Sequence, residues 1–524
     1  MNYPIKTDRV SMAQVVYSES FEQTVDIDLK LPDYCPDISK ILKCRMEPQI
    51  TGRSIMGDRI TVEGMSVVRV IYIDALSGAV RCAEQSCPFE INVSAGEVSQ
   101  NSAINTFIRV NYLNCRALSS RRLSIHGTFN VDIKIYDKSD SHLCTHVKGD
   151  DVQQKKQTIS YHALKSITQQ PFSVTETLES GTGSMAVQSV LRSDINIVTK
   201  DISVNSGKLM YKGELLVKLL YLSDLESNRP DTLEYSIPFS QVISIDTSDD
   251  DKQVVRTELL NSIVTLRNEI GFEDPLPVVS AKICVTVLTY EKCESSVVTD
   301  CYSTLYRLVP QYGVSDLPTY ASTINENIIE KLSIEFSESS VAKVIDVWCE
   351  KGGIVCEHSD SKVNVRGKYV VCVLAKDSDD NVIYTERSFD YTRNIAAVDQ
   401  DVDIDAYLTV EVLSVGFRIT GDHGIEVRTE LNVNGELYTL MTVKTITSAD
   451  ADETKFFQTD NNASLVIYYA SKGEDVWNIA RQYYASANDV REENDLTQDI
   501  LDEDAMLILP TTQLRHTVAT GSRT

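Results

Sequence analysis

Apolar residues gather along the chain in three runs that answer one another. DRITVEGMSVVRVIYID (58–74), GKLMYKGELLVKLLYLSD (207–224) and SKVNVRGKYVVCVLAKD (361–377) each place a charged residue before a glycine and continue in β-branched and long aliphatic residues. The glycines, Gly64, Gly213 and Gly367, stand 149 and 154 residues apart, and Leu42, Leu191 and Ile345 each precede their glycine by 22. A fixed offset in three places marks an internal repeat. Runs of this length and composition predict strands. Upstream, Ile38, Ile41 and Leu42 fall at i, i+3 and i+4, as do Val187, Val190 and Leu191, and Val341, Val344 and Ile345. That spacing makes one helix face, so each unit is expected to carry a short helix. In the first copy, LPDYCPDISKILKC (31–44), Asp33 is the expected N-cap and Pro36 is tolerated in the first turn. Thr182 holds the matching place in the second copy, and Phe336, beside Ser337, in the third.

Later in each unit LSIHGTFNVDIKIYD, VVSAKICVTVLTYE and IEVRTELNVNGELYTL show traces of period-two alternation and predict further strands. The expected architecture is mainly β: three tandem sandwich-like modules of about 150 residues, each with a short helix, followed by a small α+β domain. The boundaries are 1–160, 165–310 and 322–450 for the repeats, 451–463 for an acidic linker, 464–511 for the last domain and 512–524 for a frayed tail. The stretches SYHALKSITQQPF (160–172) and VPQYGVSDLPTYAST (309–323) read as separators.

From 464 to 510 the pattern changes to strand, helix, helix, strand. Leu465 to Tyr469 form the first strand and Gly473 breaks it. Glu474 and Asp475 place negative charge at the positive end of a helix whose face is Val476, Ile479, Ala480 and Tyr483. Asn488 and Asp489 are the expected cap of a second helix ending near Asn494 and Asp495, and Met506 to Leu509 return as a strand stopped by Pro510. GEDVWNIA, the tyrosines, NDL and the closing LILP resemble the LysM domain, with Glu474 in place of the usual aspartate and Asp504 in place of a glycine. The resemblance implies a βααβ fold and a shallow groove for N-acetylglucosamine polymers. Its loops correspond to Lys472, Gly473, Glu474, Asp475, Val476 and Trp477 on one side, and to about 494–504, starting at Asn494, Asp495 and Leu496, on the other. Trp477 reads either as a core residue or as an exposed interface anchor.

Pro36, Asp37 and Ile38 with Ile41 and Leu42, together with the repeat and the C-terminal module, resemble the spore-coat morphogenetic family with SPOCS-type repeats, which has clostridial members. That likeness implies a protein of the mother-cell cytoplasm acting at the forespore surface. Its LysM domain would bind the coat-basement ATPase SpoIVA, and its repeats would help recruit other coat proteins.

Charge sharpens this picture. The net charge is −26 with no basic run, which excludes phosphate-driven binding of nucleic acid and favours basic protein surfaces. Residues 464–510 alone hold three Lys or Arg against ten Asp or Glu, which argues for a protein partner over wall glycan. The first twenty residues lack the pattern of a signal peptide and no apolar stretch is long enough to span a bilayer, so a cytosolic chain is expected. The twelve cysteines are scattered; Cys35 and Cys44 have no counterparts in the other copies and read as structural thiols rather than ligands. His142, Cys144 and His146 in HLCTH would share one strand face, but a loop is the preferred reading there. Neither a phosphate-cradling glycine motif nor a nucleophile beside a histidine is present. No metal, cofactor or enzymatic activity is expected. Two readings stand: a non-enzymatic adaptor that binds protein through its last domain, or a binder of peptidoglycan and related glycans.

Overall fold

The computed structural model describes residues 2–96, 98–99, 102–179, 186–224, 230–268, 274–336, 340–359, 362–396, 403–456 and 466–510. The expected tail at 512–524, Thr182, Ser337 and most of the 451–463 linker lie outside the described residues. Three units repeat one order of six strands. The first contains β1 (Ile5–Lys30), β2 (Ile38–Met56), β3 (Arg59–Asp74), β4 (Val80–Ser94), β5 (Ala103–Ser119) and β6 (Arg122–Val147). The second contains β7 (Val152–Thr177), β8 (Ser189–Asn205), β9 (Lys208–Leu222), β10 (Pro230–Ser244), β11 (Lys252–Arg267) and β12 (Leu276–Ser303). The third contains β13 (Tyr306–Glu335), β14 (Lys343–Ser359), β15 (Lys362–Lys376), β16 (Val382–Ala396), β17 (Asp403–Ile419) and β18 (Gly424–Phe456).

Each unit folds into two antiparallel three-stranded sheets. In the first unit these are β2-β3-β4 and β1-β6-β5; β8-β9-β10 with β11-β12-β7, and β14-β15-β16 with β13-β18-β17, follow the same plan. Buried residues of the two sheets meet in one core per unit, as Val62, Val68 and Val70 of β3 do with Ile125, Val131 and Ile133 of β6. The long strands alternate their side chains between faces.

Among the described residues the predicted unit helices are absent: 38–56, 189–205 and 343–359 are strands, and Asp33 sits in a turn with no helix to cap. The reason is a bulge shared by all three copies. The ladder steps from Ile41–Tyr72 to Lys43–Ile71, from Val190–Tyr221 to Arg192–Leu220, and from Val344–Ala375 to Asp346–Leu374. Leu42, Leu191 and Ile345 are left over, so the alternation slips by one and imitates a helical spacing. A one-turn helix has a costly nucleus, whereas the neighbouring strand supplies a hydrogen bond to nearly every residue.

The repeated glycines face aromatic rings across the sheet. Gly64 pairs with Phe89, Gly213 with Phe239 and Gly367 with Tyr391. A Cβ at these positions would come within 2.1 Å of Phe89, 2.6 Å of Phe239 and 2.2 Å of the Tyr391 hydroxyl. The glycine leaves room for a ring to lie over the backbone.

The signature stretch forms a clasp. Cys35 N donates to Pro32 O at 2.9 Å, closing a turn after Leu31. Arg121, at the tip between β5 and β6, donates to the Cys35 and Pro32 carbonyls at 2.9 and 2.7 Å and to Asp37 at 2.8 Å, and Ser120 Oγ donates to the other Asp37 oxygen at 2.8 Å.

The segments expected to separate units are strand. Residues 160–172 lie in β7 and 309–323 in β13, while 448–456 prolong β18. Pro171, Pro310 and Pro318 misled the composition argument because β7 and β13 pair on one side only, and an edge strand can spare an N–H. HLCTH likewise lies in β6; a bulge at Thr145 buries Cys144 and leaves His142 and His146 exposed.

The three units meet in two shared clusters. At one end Leu143, Val297 and Val443, one from each unit, pack with Val10, Ile159 and Leu317. Tyr3 N donates to Ala449 O at 2.9 Å, so the start of the chain closes against the third unit. At the other end the bulge residues Leu42, Leu191 and Ile345 meet Ile71, Leu220 and Leu374 in a hub. Arg192 stacks on Trp348 at 4.4 Å and pairs with Asp194 and with Asp346 at 2.5 Å; Lys218 reaches Asp346 at 3.0 Å, Arg45 reaches Asp194 at 2.8 Å and Lys43 reaches Glu350 at 3.1 Å. A half-open cavity of about 2570 Å³ adjoins this hub, lined chiefly by β2, β5, β8, β11, β14 and β17.

Gly64→Ala sets its new methyl against Phe89 and, at 2.5 Å, against the Gln49 carbonyl. It should destabilise the protein by about 1–3 kcal/mol in chemical denaturation. The Arg121 guanidinium, and after it the Ser120 hydroxyl, hold the Asp37 carboxyl below its ordinary 3.8. A depressed carboxylate contributes stability that is complete above its unfolded pKa and lost as the pH falls through the folded one. The difference in melting temperature between wild type and Asp37→Asn should stay flat from neutrality to about pH 5 and shrink below about pH 4. A difference that widens in acid would count against the clasp.

Candidate functional site

The C-terminal module contains β19 (Val466–Ala470), α1 (Val476–Gln482), α2 (Ala487–Glu493) and β20 (Ala505–Leu509), with β19 and β20 antiparallel. Asp475 caps α1, its side chain accepting from Trp477 N at 2.9 Å. The cap of α2 is Ser486 rather than Asn488 or Asp489, which fall inside the helix. Val476, Ile479, Ala480, Val490, Leu501, Leu507 and Leu509 form the core, and Tyr302 of β12 packs in the same cluster.

The loop Lys472–Trp477 is held from two sides. Gly473, at φ +90°, donates its N–H to Leu501 O at 2.8 Å, Val476 N donates to Asp499 O at 2.8 Å, and Lys472 N donates to Asp504 Oδ1 at 2.8 Å. Glu474 accepts from Tyr468 Oη and Ser471 N, both at 3.2 Å. Asn494 is a staple: its amide donates to Val490 O and Ile508 O and accepts from Ile508 N, each at 2.7 Å. Asp495, at φ +53°, is exposed, and Leu496 is half-buried. The structure thus brings 472–476 against 499–504, while the hydrogen bonds of 494–496 run to α2 and β20.

Trp477 is only 7% exposed, yet what covers it is the body of the protein as much as its own module. Its ring meets Tyr302 edge-to-face at 4.8 Å, and Nε1 donates to Asp300 Oδ2 at 2.9 Å. Arg481 Nη1 reaches the same oxygen at 2.8 Å, and Tyr312 Oη donates to Asp300 Oδ1 at 2.6 Å. Tyr302 Oη donates to Ala485 O at 2.8 Å, and Lys155 Nζ pairs with Asp475 at 2.8 Å. Burial, reinforced by the hydrogen bond to Asp300, pushes the Tyr312 phenol up to about 12. None of the module's partners carried a signal in the sequence, because the contacts between module and body join residues more than 150 positions apart.

The opposite side of the module is uncovered. Ile467, Tyr469 and Met506 are 46%, 79% and 57% exposed on the outer face of β19–β20. A contiguous apolar face on an acidic module is the expected form of a protein-docking surface. Among the described residues no group of three or more His, Cys, Asp or Glu is placed to hold a metal ion, and no helix is long and apolar enough to cross a membrane.

Fold and surface together define a multi-unit β scaffold carrying a small docked α/β module. Residues 37–118 and 186–266 match the family model of the SipL, SPOCS domain. The chain thus carries two segments similar to the SipL, SPOCS domain. The two segments span β2–β5 and β8–β11, equivalent parts of the first and second units; β14–β17 repeat their topology in the third. No curated protein and no solved structure matches the chain.

Asp300→Ala removes the acceptor shared by Trp477 and Arg481. It should weaken docking of the module by about 1.5–3 kcal/mol, as for a hydrogen bond to a charged group. Combined with Trp477→Phe in a double-mutant cycle followed by chemical denaturation, it should show a coupling of about 0.5–3 kcal/mol.

Proposed function

We propose that this protein is a non-enzymatic morphogenetic adaptor of the spore coat. It works in the mother-cell cytoplasm at the forespore surface, where its SPOCS units form a rigid scaffold and its C-terminal module, which resembles LysM, binds the coat-basement ATPase of the SpoIVA type. In this way it helps the coat localise to and encase the forespore. The observation that carries the reading is the match of equivalent segments in two units to the SipL SPOCS domain. Two features of the module support a protein partner over a glycan. Trp477, the aromatic best suited to stack on a sugar ring, is turned toward Tyr302 and Asp300. Lys472, Gly473 and Asp495 are exposed, as is the apolar face of Tyr469 and Met506, within a module of three basic and ten acidic residues. Such a surface fits a partner that offers apolar side chains ringed by lysine or arginine.

Immobilised full-length protein should capture the purified coat ATPase saturably, and Tyr469→Glu should weaken capture roughly tenfold or more while leaving the melting curve unchanged. Saturable binding to chitin or peptidoglycan with no binding of the ATPase would replace this reading with the glycan one.

A further inference from the structure

Two side chains on one face of a helix hold a carboxylate. Trp477 and Arg481 stand four residues apart on α1, so they project from the same side. Both meet Asp300 Oδ2, the indole Nε1 at 2.9 Å and the guanidinium Nη1 at 2.8 Å. Tyr302 lies edge-to-face on the indole at 4.8 Å and enters the core of the module, where its hydroxyl donates to Ala485 O at 2.8 Å. Asp300 and Tyr302 alternate along β12 just after a bulge, so one short stretch of strand supplies both the acid and the ring, while Cys301 between them packs in a different cluster. Lys155, the ladder partner of Asp300 on β7, meets Asp475 at 2.8 Å and adds a second ion pair of opposite polarity.

We propose that the Trp477–Arg481 face is a binding site for an extended segment of another protein that carries a carboxylate and, two residues on, an aromatic ring. Asp300 and Tyr302 occupy this site as a built-in ligand. A partner segment of the same chemistry displaces them and draws the module away from the body. The inference goes beyond the reading above: it concerns a different side of the module and stands whether or not the outer face of β19–β20 binds the coat ATPase.

The make-up of the contact is that of a replaceable ligand. The module holds ten acidic residues, yet Arg481 takes its carboxylate from the body. Among the described residues no strand of the module pairs with the body, so side chains carry the contact. The ion pairs lie at a wet rim, with the side chains of Arg481 and Lys155 38% and 40% exposed. Pairs so placed contribute little against water. What remains is one carboxylate and one ring, and a single strand from elsewhere can offer both. Contacts of this kind open at lower free energy than core strands. While the built-in segment stays bound, the apparent affinity for any other is reduced by the fraction of molecules that are open.

The test uses the full-length protein and a fluorescein-labelled peptide of residues 296–304 carrying Cys301→Ser, with binding followed by fluorescence anisotropy. Asp300→Ala in the protein loosens the built-in contact and should bind the peptide about tenfold or more tightly than wild type does. Lys155→Ala, which loosens the same contact and leaves Asp300 in place, should move in the same direction by less. Peptides with Asp300→Asn or Tyr302→Ala should bind the Asp300→Ala protein about tenfold or more weakly than the parent peptide. Adding Arg481→Glu to the Asp300→Ala protein should abolish binding with the unfolding transition of the body retained. The inference is overturned if Asp300→Ala binds the peptide no more tightly than wild type, or if peptides lacking the acid or the ring bind it equally well.

Discussion

Toward their C-terminal ends strands β3, β9 and β15 bury residues of both faces, and the rest of the body is arranged around that fact. One face fills the core of a sandwich, as Val62, Val68 and Val70 do in the first unit. From the other face Ile71, Leu220 and Leu374 enter the hub where the three units meet. A strand buried on two sides cannot alternate apolar with polar, which is why these segments read as near-continuous apolar runs. The bulge at Leu42, Leu191 and Ile345 serves the same hub, because a residue released from the ladder can be aimed at the neighbouring units.

Charge selects the arrangement that burial drives. Arg192 is almost fully enclosed between Trp348, Asp194 and Asp346, and an ion in that position is tolerable only with its partners in place. Its ligands come from the second and third units, while Arg45 and Lys43 tie in the first. Hydrophobic contact alone would allow many relative settings of three similar sandwiches. The ion pairs favour one.

The module at the end of the chain is joined to this body by the contacts of Asp300, by Tyr302 packed into its core and by the Lys155–Asp475 pair. That geometry turns Trp477 inward and leaves an aliphatic and tyrosine face outward, which shifts the weight from sugar stacking toward protein docking. The order strand, helix, helix, strand was legible because the hydrophobic period changes within a short segment and Gly473 and Pro510 punctuate it. Ser486 as the cap of α2 was not, since Asn488 and Asp489 offer the same chemistry two residues later.

Much of the architecture was present in the sequence. The three glycines and their constant offsets marked three β-rich units, because the same cross-strand ring must fit over the same bare Cα in each copy. The clasp residues Pro36 and Asp37 were recognisable as a signature, though for a turn held by Arg121 and not for a helix start. Local pattern could not show that Ile38, Ile41 and Leu42 lie on a bulged strand, since a slipped period of two and a helical period place apolar residues at the same few positions. Nor could it show that Trp477 rests on Tyr302, or that three bulges meet in one hub. Those relations join residues distant in the chain, and only packing of the whole molecule decides them.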